Sequence, residues 1–265
     1  MSQQPIGVFD SGIGGLTVLK ELLGHLPSES YVYFGDTARV PYGTKSADAV
    51  RRFSRENVSF LLDRGVKMVV IACNTASSEA LPDLEHEFPV PIVGVIEPGV
   101  RAAVAATRRR RIGVIGTPGT IRSGAYQAKI LAALPDAVVI PQACPLFVPL
   151  VEEGWIDTPV TRLVAQEYLR AYEGTNIDAL VLGCTHYPLL KPVITGVLGA
   201  GVTLVDSAVE TAREVARVLA ARGIAAPSGA GEFHIVLSDT SPSFGDIATR
   251  FLGRRVADIE LVSVL

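Results

Sequence analysis

The stretch Leu180-Val181-Leu182-Gly183-Cys184-Thr185-His186-Tyr187-Pro188 reads as a short apolar run that ends in cysteine, two polar side chains and a proline. A run of this length, rich in Leu and Val, fits a strand buried on both faces, and proline is at home in the first turn of a helix. The same grammar occurs at Val69-Val70-Ile71-Ala72-Cys73-Asn74-Thr75-Ala76-Ser77. In each copy a strand ends in cysteine at a helix entrance, where backbone and side-chain donors can meet a ligand. Two such strand ends, far apart in the chain, predict two similar lobes that each bring one thiol to a shared cleft.

Outward from these runs, apolar strand patterns alternate with helical ones, as in parallel α/β folds. Strands are expected at 5–9, 31–34, 66–72, 91–96, 111–115, 137–140, 179–183, 202–205 and 233–237. Helical patterns include 15–26, 47–64, 98–107, 159–172 and 209–221. Gly65 and Gly223 stand where such helices stop. Boundaries fall near Ile96-Glu97-Pro98-Gly99 and near Asp206-Ser207. The expected architecture is α/β: two Rossmann-like parallel-sheet domains related by pseudo-symmetry, with the active site in the cleft between them. The first domain takes 1–97 with 208–265 and carries Asp10 and Cys73, while the second takes 98–207 and carries Cys184. The segment 225–231, rich in Gly, Ala, Ser and Pro, is a surface connection. In open sheets of this kind, ligands lie beyond the carboxyl ends of the strands.

The totals narrow the function classes. The 265 residues, with 48% hydrophobic and 19% charged, suit one large or two modest globular domains. A net charge of −3 gives no reason to expect nucleic acid. The one basic run, Arg108 to Arg111, reads as a solvated helix end. Three cysteines fit a reduced compartment, and no secretion signal opens the chain. Mean hydropathy is positive, yet the uncharged run 137–151 is too short to span a bilayer and holds Pro141, Pro145 and Pro149. The expectation is a soluble, cytoplasmic protein without a membrane partner.

Asp10-Ser11-Gly12-Ile13-Gly14-Gly15-Leu16 joins the first strand to the first helix. Its glycines allow a ligand near the backbone. A dinucleotide site is one reading, with Asp36 as the ribose acid, but Thr17 stands where G-x-G-x-x-G needs its third glycine. A plain tight turn is another reading. A small zwitterion fits better, with Asp10 holding an ammonium and Ser11 beside a carboxylate. Cys73 and Cys184 share a context that lowers a thiol pKa, whereas Cys144 reads as structural. A Cys184–His186 hydrolase dyad is disfavoured because such pairs come from separate segments. No zinc spacing and no pyridoxal lysine context stands out, so neither metal nor cofactor is expected. Pro41-Tyr42-Gly43 reads equally as a turn over a ligand and as a turn alone, and Glu152 equally as a site acid and a solvated one.

Taken in order, the Asp10–Leu16 loop, Pro41-Tyr42-Gly43, Cys73-Asn74-Thr75-Ala76-Ser77 and Gly183-Cys184-Thr185-His186-Tyr187-Pro188 together resemble bacterial glutamate racemases. The likeness runs from residue 6 to about residue 219. It implies cofactor-independent racemisation that supplies D-glutamate for peptidoglycan, and homodimers. Carried onto this chain, it makes Cys73 and Cys184 the acid/base thiols. Of the acids and imidazole beside them, a cationic His186 would favour a thiolate, while Asp10 and Glu152 would either oppose it or relay protons and hold the ammonium. Asp10, Ser11, Tyr42, Gly43, Asn74, Thr75, Thr185 and His186 would bind substrate. Aspartate racemases resemble the chain more weakly, because their second cysteine typically precedes Thr-Glu where Thr185-His186 stands here. Nothing functional carries over to the segment from Ala225 onward.

The chemistry asks for such a pair. Racemisation removes a Cα proton from one face and returns one to the other, which two fixed groups do without moving. One must be thiolate and one thiol, yet a thiol of pKa about 8.5 is only about a tenth ionised near pH 7.5. Lowering that pKa by about one unit takes about 1.4 kcal/mol, within reach of a helix N-terminus or a cationic His186. A two-lobed amino-acid-binding module without chemistry is the alternative from another class, and it has no need of two thiols.

Overall fold

The computed structural model describes residues 3–240, 244–256 and 258–263. The chain runs β1 (Ile6–Asp10), α1 (Leu16–His25), β2 (Tyr31–Gly35), α2 (Ala47–Asp63), β3 (Met68–Ile71), α3 (Asn74–Glu87), β4 (Ile92–Gly94) and α4 (Ile96–Ala106). It continues through β5 (Arg111–Gly116), α5 (Pro118–Ser123), α6 (Ala125–Ala133), β6 (Val138–Ala143), α7 (Phe147–Glu152), α8 (Pro159–Leu169), β7 (Ala179–Gly183), α9 (Lys191–Leu198) and β8 (Thr203–Asp206). It closes with α10 (Ser207–Arg222), β9 (Phe233–Leu237), α11 (Phe244–Leu252) and β10 (Ile259–Leu261).

Among the described residues two sheets form, and every pairing in them is parallel. One has six strands in the order β10-β9-β2-β1-β3-β4, and the other has four in the order β6-β5-β7-β8. The chain thus builds the first sheet, leaves for the second, and returns to finish the first. All nine expected strands are present within a few residues of their predicted ends. β10 was not expected, being three residues long with Glu260 and Leu261 exposed. α3 was expected only as a helix entrance after Cys73, without bounds, since its sequence NTASSEALPDLEHE holds Pro82 and lacks a clean apolar stripe.

Alternation along the strands decides which helices cover which face. Ile6, Val8, Met68 and Val70 pack with Leu16, Leu19 and Leu22 of α1 and with Val215 and Leu219 of α10. Their neighbours Phe9, Val69 and Ile71 face Val58 and Leu61 of α2 and Ala80 and Leu84 of α3. In the second sheet, Ile112, Val114, Ala179 and Val181 pack on Val100, Ala103 and Ile130, while Leu180 and Leu182 meet Ala165, Leu169 and Ile194. Each such side chain contributes about 1.5–3 kcal/mol when removed from water, so strands apolar on both faces commit to being sandwiched. Helix ends follow local chemistry. Ser46 accepts the Ala49 N–H at the start of α2, and α10 stops at Gly223 with φ of 65°. No helix among the described residues is long and apolar enough to cross a membrane.

Candidate active site

The carboxyl ends of β1, β3 and β7 deliver Asp10, Cys73 and Cys184 to the seam between the two sheets. The loop after β1 lies flush against the loop after β7. A Cβ on Gly14 would collide with Thr185 and His186, so glycine is what lets the two loops meet. Thr17 Oγ1 donates to the Thr185 carbonyl across the same seam at 3.1 Å.

Cys73 is the N-cap of α3. Its sulfur accepts the Ala76 N–H at 3.5 Å, and its thiol faces Ser11 Oγ at 3.6 Å. Burial nevertheless pushes the thiol up to about 12; nearby Asp10 adds to this, and the Ala76 and Ser11 hydrogen bonds only partly offset it. The expected lowering by the helix N-terminus is therefore outweighed. Asp10 is 1% exposed, and its Oδ2 accepts the Gly12 N–H at 2.9 Å. Burial raises its pKa as well, against the pull of His186. Asn74 Oδ1 is held by the Tyr126 hydroxyl at 2.8 Å, which aims the amide. Two buried atoms here, Asp10 Oδ1 and Asn74 Nδ2, have no hydrogen-bond partner among the described residues. One is an acceptor and the other a donor, the complement of an ammonium and a carboxylate.

Cys184 has different company. The expected helix entrance takes the form of a 3-10 turn, Tyr187–Leu190, which runs straight into α9 at Lys191. The polar partner is His186, whose Nδ1 lies 3.8 Å from Cys184 Sγ and whose Nε2 lies 2.9 Å from Glu152 Oε1. Burial opposes a charge on this ring, but the hydrogen bonds to Cys184 and Glu152 outweigh it and push His186 up to about 10. Cys144 sits behind, fully buried, with its carbonyl accepting the Tyr187 hydroxyl at 2.8 Å. Burial raises its thiol too.

Between the lobes runs the turn Pro41-Tyr42-Gly43, which follows a cis Val40–Pro41 bond. Tyr42 is fully buried; its hydroxyl donates to Asp36 and accepts from Asn57 Nδ2 at 3.0 Å. Asp36 also takes Arg39 Nε at 2.7 Å and Ser238 Oγ at 3.1 Å. Its carboxylate is thus committed inside the lobe, which leaves the dinucleotide reading without its ribose acid. Gly43 abuts Thr117, where a Cβ would come within 2.6 Å of the threonine Cβ. Thr117 in turn shares a hydroxyl network with Thr75 at 2.8 Å and Thr120 at 3.1 Å.

These parts enclose a cavity of ≈ 30 Å³. Ser11, Tyr42, Gly43, Cys73, Asn74, Thr75, Cys184, Thr185 and His186 all line it. Asp10 and Glu152 do not: Asp10 accepts the Gly12 N–H, and Glu152 pairs with Nε2 of the imidazole, half-buried at the rim of a second opening. Val40, Thr117 and Val148 also line the cavity and carried no motif in the sequence. Among the described residues, no group of three or more His, Cys, Asp or Glu is placed to hold a metal ion.

A fold of two parallel sheets with one strand-end cysteine from each across a common cavity defines a class. The chain belongs to the Asp/Glu/hydantoin racemase family, whose profile matches residues 16–215, and as an enzyme it is a racemase, an isomerase. Within that family, relatives matched over nearly their whole length are named glutamate racemase. It is 53% identical to the glutamate racemase of Geobacter metallireducens, covering all of this chain and 98% of that protein. The Francisella tularensis glutamate racemase, solved with D-glutamate, superposes with a TM-score of 0.94 at 38% identity, over 100% and 99% of the two chains. A Bacillus anthracis glutamate racemase gives 0.95 at 40% identity, over 99% and 98%. The aspartate racemase of Picrophilus torridus, at 17% identity and a TM-score of 0.58, shares the fold alone.

Proposed function

We propose that this chain is a glutamate racemase that interconverts L- and D-glutamate by two-thiol proton transfer without a cofactor. Its D-glutamate would serve peptidoglycan synthesis in the cytoplasm, and the enzyme would act as a homodimer, as the resemblance implies. The observation that carries the reading is that Cys73 and Cys184 line one cavity together with the unpartnered Asn74 Nδ2, with the unpartnered Asp10 Oδ1 close to Cys73. Asn74 Nδ2 then donates to a substrate carboxylate and Asp10 Oδ1 accepts from the ammonium. Ser11, Thr75 and Thr185 add hydroxyls around the carboxylates. Tyr42 and Gly43 contribute the backbone of their turn, since the Tyr42 hydroxyl is already engaged. Domain limits of 1–97 with 208–265 and 98–207 are supported by the separation of the two sheets, with the first cut falling inside α4.

The proton balance is simple. A thiolate on one side takes the Cα proton and becomes a thiol. The thiol on the other side gives its proton to the opposite face and becomes a thiolate. Each turnover leaves the pair set for the reverse direction. His186, held between Cys184 and Glu152, supplies a cation beside one sulfur and a route for its proton. At ≈ 30 Å³ the cavity has room for a water or two, so admitting glutamate requires the lobes or the 41–43 turn to shift.

Circular dichroism of L-glutamate with enzyme and no added cofactor tests the activity, and isotope entry in heavy water tests the mechanism. Early D-glutamate made from L-glutamate should carry deuterium at Cα while recovered L-glutamate stays protiated. Protein acids exchange with water quickly on the scale of turnover. Protium carried into early D product would point to a single mobile base.

A further inference from the structure

The C-terminal segment holds no motif, yet it reaches the site. α11 packs on α1, and its Phe251, only 2% exposed, lies against His186 with ring centroids 5.1 Å apart and planes at 81°. This is the edge-to-face arrangement that aromatic rings favour. Among the described residues, no other aromatic ring pairs with that imidazole. The two nitrogens of His186 are held at opposite ends, by Cys184 and by Glu152. Two end contacts fix an axis but leave the ring free to tilt about it. A ring against the imidazole at right angles removes that freedom. The groups that face His186 are Cys184 and Glu152 from its own lobe, and Asp10 and the backbone of Gly14 across the seam; Gly14 meets the ring at Cε1 and Nδ1, and Phe251 adds an edge-to-face contact.

We propose that Phe251 is a positioning residue for proton transfer at Cys184: by flanking His186 from the other lobe, it fixes the tilt at which the imidazole meets the sulfur. The inference rests on the two-thiol reading above. It also gives α11 a task, because the ring arrives on the lobe that carries Cys73 and acts on the thiol of the opposite lobe.

The test compares Phe251→Leu, which keeps an apolar side chain in place, with Leu252→Val, which trims the next core residue of the same helix. Each is assayed from both enantiomers, with protiated and Cα-deuterated glutamate. Phe251→Leu should lower kcat about three- to tenfold with KM within twofold, in line with the worth of an edge-to-face pair. Its primary isotope effect should rise for the enantiomer whose Cα proton goes to Cys184 and fall for the other. A loosened fold would move both directions alike. Leu252→Val should leave the two isotope effects in their wild-type ratio. Should Phe251→Leu not fold, Phe251→Met is read the same way. Unchanged kcat, or equal changes in both directions matched by Leu252→Val, overturns the positioning role while leaving the racemase reading intact. A wild-type enzyme inactive on both enantiomers overturns the racemase reading, and this inference with it.

Discussion

Cys73 caps an α-helix of 14 residues, whereas Cys184 leads into a 3-10 turn of 4 residues and leans on an imidazole. The first sulfur accepts the Ala76 N–H and donates to the Ser11 hydroxyl, both neutral partners, with a buried carboxyl close by. The second has a histidine that keeps its own proton up to about pH 10. The two strands leave their sheets at matching places, but the means of moving a proton differ. On the Cys73 side, burial holds the proton on sulfur until substrate charge or a shift of the lobes changes the surroundings. On the Cys184 side, the proton has a resident partner. Pseudo-symmetry of the backbone therefore does not carry over to the electrostatics, and substitutions should act on one side at a time.

The largest expected effect removes a sulfur altogether. Cys73→Ala and Cys184→Ala should each lower racemisation by roughly 10²–10⁴-fold, the usual worth of a positioned acid or base. Each variant keeps the other thiol and should still exchange the Cα proton of one enantiomer with heavy water, opposite enantiomers for the two variants. Proton NMR of each enantiomer in heavy water reads this directly. Exchange of both enantiomers by either single variant would break the division into two sides.

Next in size is Asp10→Asn. Asp10 is buried, burial raises its pKa, and one of its oxygens lacks a partner, so the charged form is a cost to the folded protein. Turnover should fall about tenfold or more while the thermal midpoint holds or rises. A variant that binds and turns over glutamate normally would remove the ammonium role from Asp10.

The strand-end cysteines and the glycine loop after β1 were legible in the sequence because their signals are local: an apolar run, a breaker, then polar residues. The pairing of His186 with Glu152 was not, since the two lie 34 residues apart and meet only when α7 packs beside the loop after β7. Thr117 reads as an ordinary helix cap, and it reaches the cavity through α5 packing against the 42–44 turn. Phe251 lies in a segment to which the sequence assigned no helix and no motif. Its contact depends on the C-terminal segment returning to the first sheet. The likeness of the two cysteine contexts hid a real difference, because Pro188 signals a helical first turn without saying whether that turn is 3-10 or α.

Glu152→Gln sharpens the Cys184 side through pH. The imidazolium of His186 is present below about pH 10 and is lost as pH rises through that value, so turnover should fall along that limb. Glu152 is one of the groups holding the proton there. Without its charge, the alkaline limb should move to lower pH by about one unit or more. A pH profile of kcat checks this, and an unmoved limb would show that Cys184 alone holds the proton on His186.

The smallest effect belongs to the third thiol, which shows what burial alone does. Cys144 is fully buried and its pKa is raised, yet it has neither the N–H and hydroxyl partners of Cys73 nor the histidine of Cys184. Its sulfur contact is the Gln142 carbonyl at 3.8 Å, and its own carbonyl anchors Tyr187 through a bond that a side-chain change leaves in place. Cys144→Ser puts a hydroxyl where a soft, weakly polar thiol sat, at a cost of about 1–3 kcal/mol if the new group is poorly bonded. For a chain of this size that is a drop of roughly 2–10 °C in thermal midpoint. Turnover should stay within a few-fold, because no proton passes through this residue in either direction. Calorimetry and a racemisation assay on the same sample separate the two quantities. A well-folded Cys144→Ser enzyme that has lost activity would mean that the chemistry uses a third sulfur and that the contrast between two sides is incomplete.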